Sequence, residues 1–393
     1  MQLEIGHFNF NEIDPCLKHL SKEKIHEVIT KYYANEKVKD ILIEYNMSIT
    51  PSKLVKTFPP VYLEAKCEKC ESHLLGELQS KTSDKMIRRK DACPHCSHSE
   101  NSRSCTCHFC EEEAIKLEKE KRDAVNSVFF NGDTPLVLES DLTSEDRLYL
   151  SVLLRAALSE DMNITVPINN IKSKLAPTNQ LKEEIVKTLI AKEIILVSEH
   201  SSLDAFIMQK NEDGKHGISY YTYQVVYKLN VTPFDGNYSS MIQRLLYPEP
   251  ESFNVEFCYE KWRQVALNEI EEYLLYEMNK VGYSFKLGKK SYQVFNQLLN
   301  HFSTAQIFNI IYRAVANSTR RYQAREITKV HAQNSVITSC ESQGHRAIAE
   351  KWTLKPYGRN YDLPESLISE VLFNSIMHIS SLGFSEVPTM KFR

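Results

Sequence analysis

The chain has 393 residues, 42% of them apolar, which is enough for two or three small cores at about 150 residues per domain. With only 11 Gly and 14 Pro but 20 Tyr and 17 Phe, the composition excludes collagen-like, low-complexity and wholly disordered chains. Lys and Arg number 48 against 51 Asp and Glu, and a formal charge of -3 confines any nucleic-acid contact to local patches.

Residues 1–60 read as a helical module. Ile25, Val28, Ile29 and Tyr32 recur at helical spacing, and Val38, Ile41, Leu42 and Tyr45 do so again after the polar break Asn35-Glu36. A turn at Asn46-Met47-Ser48 follows. Thr50 then precedes Pro51 at a first helical position, and Leu54 and Val55 continue a third helix that Pro59-Pro60 must stop. Three helices with a tight turn before the last resemble a helix-turn-helix.

Residues 61–110 form a Cys-rich module, and the charged run that follows predicts a solvated helical linker over 111–130. Over 131–250 the pattern is α+β. Ser144 is placed to cap a helix carrying Leu148, Val152, Leu153 and Ala156. Shorter helices are predicted around Ile168, Ile171 and Leu175 and along Leu181, Ile185, Leu189 and Ile190, with strands at 194–197 and 220–229. That order resembles a winged helix. Residues 251–393 are helical, with periodic segments at roughly 256–281, 289–300, 303–325, 328–351 and 364–382. The expected fold is therefore mainly α with small β elements.

No run approaches the ~18 apolar residues of a spanning helix, and Met1-Gln2-Leu3-Glu4 lacks a signal-like basic start, so a cytoplasmic protein without membrane contact is expected. In a reducing compartment ten cysteines are free or metal-bound, and seven of them fall between positions 67 and 110. Cys67/Cys70 and Cys93/Cys96 are two C-x2-C turns separated by 22 residues, slightly more than a zinc ribbon usually has; Gly76, Thr82 and Ser83 give room for an enlarged hairpin. Each turn points two thiolates at one ion, and four thiolates fill a tetrahedral shell, as in a structural Zn²⁺ site.

Cys105, Cys107 and Cys110 supply three ligands of a second site, with His98 the preferred fourth and His108 its competitor. The pairing stays open, since Cys93/Cys96 could join Cys107/Cys110 instead. Two structural zinc ions are expected. The cysteines do not follow the nucleobase-deaminase pattern, because Pro94 follows Cys93 instead of preceding it. Cys16, Cys258 and Cys340 stand alone and read as small buried groups.

For nucleic acid, the third N-terminal helix offers Thr50, Ser52, Lys53 and Lys56 without an acidic residue, groups that reach phosphates or base edges in a major groove. Arg88, Arg89 and Lys90 add phosphate contacts from the hairpin. In the C-terminal domain Arg313, Asn317 and Arg320 share one stripe. The 181–190 helix mixes lysines with glutamates, so it points as much to protein as to DNA. His331, Ser335, Thr338, Ser342 and His345 make an uncharged stripe that suggests a helix–helix interface.

No catalytic motif is recognisable. The stretch Gly282–Ser291 has five residues between its glycines and Lys290 where a phosphate loop needs Ser or Thr, so it reads as a turn between helices. Glu269, Glu272 and Glu277 read as the solvent face of a helix rather than a nuclease site. The expectation is a zinc-stabilised protein of regulatory or mobile-element type that binds double-stranded DNA, with its C-terminal helical domain contacting a protein partner or additional nucleic acid, and an oligomer possible. The alternatives are an interaction scaffold and a divergent metal-dependent nuclease.

Overall fold

The computed structural model describes residues 3–100, 104–132, 134–210 and 216–391. The protein is mainly helical, its strands are short, and among the described residues no sheet has more than three strands. The chain divides into two compact units, Met1–Asp123 and Ala124–Arg393.

The first unit begins with α1 (Lys22–Tyr33), capped by the Ser21 hydroxyl, and α2 (Val38–Glu44). Asn35 and Asn46, both at positive φ, end the two helices in the left-handed conformation that asparagine tolerates well. Ile25, Val28, Ile29 and Tyr32 of α1 meet Ile41, Leu42, Leu54 and Phe58 in one small core.

The expected third helix departs from α geometry. Pro51–Thr57 is a 3-10 helix, because Thr50 makes no side-chain cap and Phe58 is extended ahead of Pro59, leaving seven residues between prolines. An antiparallel sheet follows: β1 (Val61–Lys66), β2 (His73–Leu78) and β3 (Ile87–Arg89). Gly76 lies inside β2 and does not enlarge the loop. It pairs with Arg89 in register, and a Cβ there would sit 2.4 Å from Ile87 Cγ2 and 3.1 Å from Leu63 Cδ2. The charged linker expected over 111–130 is helical to Phe129, as part of α3 (His108–Phe129), which begins inside the Cys-rich module.

The second unit opens with the two-residue strand β4 (Val137–Leu138) and α4 (Ser144–Ala157). Thr143, not Ser144, is the cap of α4, in a reciprocal box with Asp146. After α5 (Asn179–Ala191), β5 (Ile195–Val197) pairs with β8 (Tyr227–Leu229), and Ile164 bridges to Lys228 on that strand. Between them, β6 (Phe206–Lys210) and β7 (His216–Tyr220) form a hairpin. The predicted 220–229 strand is thus two strand ends around a turn in which the Gln224 N–H donates to the Tyr221 carbonyl. β9 (Val231–Thr232) pairs with β4.

The remainder is helical: α6 (Tyr238–Leu246), α7 (Val255–Lys280), α8 (Lys289–Leu298), α9 (Thr304–Gln323) and α10 (Lys329–Ala349). Residues 281–288 join α7 to α8, and Gly282 takes positive φ there. A helix at Leu367–Glu370 continues as a π-helical turn to Ile376 and ends before the left-handed His378 and Ser380, and a last short helix, Leu382–Ser385, follows. The core gathers Trp262, Ile270 and Leu274 of α7 with Ile307, Ile311, Val336 and Phe373. Among the described residues no helix is long and apolar enough to cross a membrane.

Candidate metal centres and basic surfaces

Two sets of four side chains converge in the first unit: Cys67, Cys70, Cys93 and Cys96, and separately His98, Cys105, Cys107 and Cys110. Within each set the ligand atoms lie within 4.8 Å of one another.

The first set is built by two turns of the same design. The Glu71 N–H donates to the Cys67 carbonyl and the Ser97 N–H to the Cys93 carbonyl, and both Glu71 and Ser97 take positive φ to close the turn. Cys67 Sγ is 3.7 Å from Cys96 Sγ, and Cys70 Sγ is 3.6 Å from Cys93 Sγ. These are too long for a disulfide of ~2.05 Å. They approach the ~3.8 Å edge of a tetrahedral thiolate shell with ~2.3 Å metal–sulfur bonds.

In the second set His98 is buried, and its Nδ1 lies 3.4, 3.6 and 3.3 Å from the Sγ atoms of Cys105, Cys107 and Cys110. A mixed shell of three sulfurs and one nitrogen has edges of about 3.5 Å from nitrogen to sulfur. The partition of ligands is therefore the direct one, not the exchanged pairing. His108 stands outside on the exposed first turn of α3, with Nε2 3.2 Å from Glu112, and His95 is exposed.

The thiols feel opposing influences. The Ser72 hydroxyl and then its backbone N–H hold Cys70 down to about 5, and the backbone N–H groups of Ser99 and Cys107 hold Cys105 down to about 6. Burial pushes Cys93 and Cys96 up and Cys110 up to about 12. Several thiolates in so small a volume repel, and a cation at the centre of each set is the group that relieves this. Both donor sets suit a divalent ion in a closed, four-coordinate, structural site. Among the unclustered cysteines, Cys258 and Cys340 are buried and Cys16 is half-buried.

The basic residues singled out in the sequence are distributed over three surfaces. Thr50, Ser52, Lys53 and Lys56 are all exposed on or beside the 3-10 helix. Arg88 is exposed on β3, whereas Arg89 pairs with Glu100 at 2.6 Å and Lys90 approaches Glu77 at 3.5 Å. These three line an open cleft of about 540 Å³ with Lys85, Asp91 and Glu100. Arg313 and Arg320 are exposed on α9, in the second unit.

Two sequence readings need correction. Glu269 and Glu277 are buried, and Glu272 is mostly so; none of them forms a solvent face. Glu269 accepts from Arg359 and from the Ser369 hydroxyl, both at 2.8 Å, and Glu272 pairs with Lys174 at 2.5 Å. Nor is the polar stripe the packed face of α10, which meets α9 and α8: its buried residues are Ala332, Val336, Ile337, Cys340, Gly344 and Ala347, with Gly344 close against Leu298 of α8. His331, Thr338, Ser342 and His345 are exposed, and only Ser335 meets α9, through Ser318 at 3.2 Å.

Compared with known proteins, the chain matches no family model, no curated protein and no solved structure.

Proposed function

We propose that the chain is a zinc-stabilised protein, of regulatory or mobile-element type, that binds double-stranded DNA through its first unit. Zinc is favoured over other ions because closed sets of four sulfurs, or of three sulfurs and one nitrogen, with tetrahedral edges are its characteristic shells. The observation that carries DNA binding is the 3-10 helix. At three residues per turn Thr50, Lys53 and Lys56 fall on one edge, while Leu54 and Thr57 are buried behind it. An edge of two lysines and a hydroxyl with no carboxylate in the segment suits phosphate contacts beside a groove, and Arg88 adds a further exposed cation in the same unit.

The winged-helix reading of the second unit is supported by the order α4, α5, β5, β8. Its would-be recognition helix, however, leaves a narrow strip of Asn179, Gln180, Glu183 and Lys187 exposed. Gln264 of α7 donates to Glu184, and Asn268 accepts from the Thr178 hydroxyl. This favours protein contact there, as an interaction scaffold would need.

Anisotropy with a labelled 30-base-pair duplex tests the proposal. The full chain should bind with an affinity that falls steeply with salt. Lys53→Ala/Lys56→Ala should weaken binding tenfold or more at 50 mM salt and reduce the logarithmic salt slope by about 1.8. Absence of binding at low salt, with both metal sites filled, rejects it.

A further inference from the structure

We propose that α9 and the extended segment 351–361 form a surface for single-stranded nucleic acid, separate from the duplex contact proposed for the first unit. After α10 the chain runs without regular structure through Lys351-Trp352-Thr353-Leu354-Lys355-Pro356-Tyr357-Gly358-Arg359-Asn360-Tyr361. This strap is held firmly. Gln306 Nε2 donates to the Leu354 carbonyl at 3.3 Å, Asn309 Nδ2 to the Lys355 carbonyl at 2.8 Å, and the Tyr357 N–H to the Ala305 carbonyl at 3.0 Å. Leu354 is buried, and Arg359 reaches inward to Glu269.

Strapping the segment to α9 sets its outward side chains beside those of the helix. The Tyr312 and Tyr357 rings lie 5.8 Å apart, and Arg313 follows Tyr312. Neither α9 nor the strap contains an Asp or Glu. Among the described residues no carboxylate lies within 4.0 Å of Arg313, Lys351 or Lys355, whereas Arg321, near the end of α9, pairs with Glu326, and Lys187, Lys192, Lys290 and Arg346 elsewhere in the unit each have an acidic partner. The same two elements carry exposed aromatic rings: Tyr312 is 46% exposed, Trp352 37%, with its Nε1 donating to Glu350 at 2.7 Å, and Tyr361 98%.

That combination selects the ligand. Unpaired cations attract any polyanion, but exposed rings gain most from a strand whose base faces are uncovered, and each base can stack without demanding sequence. A duplex hides those faces, and an acidic peptide has none. The backbone hydrogen bonds preorganise the surface, so little ordering cost opposes binding.

The chain carries its own probe. It has two tryptophans: Trp262, buried, with Nε1 donating to the Gly383 carbonyl at 2.7 Å, and the exposed Trp352. Titrating the full chain with (dT)20 at 50 mM salt should quench emission saturably, and Trp352→Phe should remove that quenching while anisotropy still reports binding. Arg313→Ala/Lys355→Ala should weaken (dT)20 binding tenfold or more and lower the salt slope by about 1.4, with Trp262 emission certifying the fold. Lys53→Ala/Lys56→Ala should leave it unchanged, which separates failure here from failure of the duplex reading. Absence of quenching, binding indifferent to the double substitution, or equal competition by polyglutamate overturns the proposal, the last in favour of an acidic protein partner.

Discussion

The Cys-rich stretch 61–110 and the helix α7 hold their folds by opposite means. Around α7, Trp262, Val265, Ile270 and Leu274 are fully buried among side chains from three other helices, and apolar burial at roughly 25 cal/mol per Å² explains the order. The 67–96 segment has almost no such resource: its own cluster comprises Leu74, Cys67 and Cys93 with a few half-buried neighbours. Where a chain is too short to make a core, convergent thiolates substitute for one. The lesson is that the two units should respond to different insults.

The largest expected effect is metal removal. A strong chelator should unfold the Cys-rich stretch, since structural zinc supplies roughly 10–16 kcal/mol to small domains, and should leave the transition of the second unit in place. Two-wavelength melting, with tyrosine reporting on both units and Trp262 on the second, reads this out. A shared loss of both transitions breaks the comparison.

Next come the ligands themselves. His98→Ala should lower the zinc content from two ions to one. Cys93→Ser should cost both, because losing the first ion releases the turn at Cys93, whose backbone N–H donates to the His98 carbonyl at 2.8 Å and so helps to place the second set. Elemental analysis decides, and equal losses would show the two sites to be independent. The smallest effect lies in the apolar region. A Cβ at Gly383 would sit 2.4–2.6 Å from the Phe373 ring, itself fully buried against Trp262, so Gly383→Ala should destabilise the second unit by about 1–3 kcal/mol without changing metal content. Urea denaturation followed by Trp262 emission measures it.

The convergence of the Cys and His side chains was legible in the sequence because ligand spacing is local: a C-x2-C turn closes over four residues whatever surrounds it. The partition was not, since it depends on the hydrogen bond that draws His98 back over Cys93. Long helices such as α9 and α10 were legible from their periodicity within a few residues. The buried carboxylates of α7 were hidden, because this helix is covered on nearly all sides and has no polar stripe to read. The partners that make burial tolerable, Arg359 for Glu269 and Lys174 for Glu272, lie about ninety residues or more away. The 3-10 helix looked like an α-helix because prolines mark where a helical segment starts and stops without specifying its hydrogen-bond ladder.

At the start of α3, chelation and helix entropy meet. Residues 111–120 are exposed throughout, so little packing offsets the entropy of winding them. Forming a first helical turn is the unfavourable step, and later turns add with little further cost. Cys107 and Cys110 straddle that first turn, and the Glu111 N–H already donates to the Cys107 carbonyl at 3.0 Å, so an ion held by these two residues would act as the nucleus from which the helix propagates. Filling the second site then does more than staple a loop, because it seeds the winding of a segment far longer than the chelate itself.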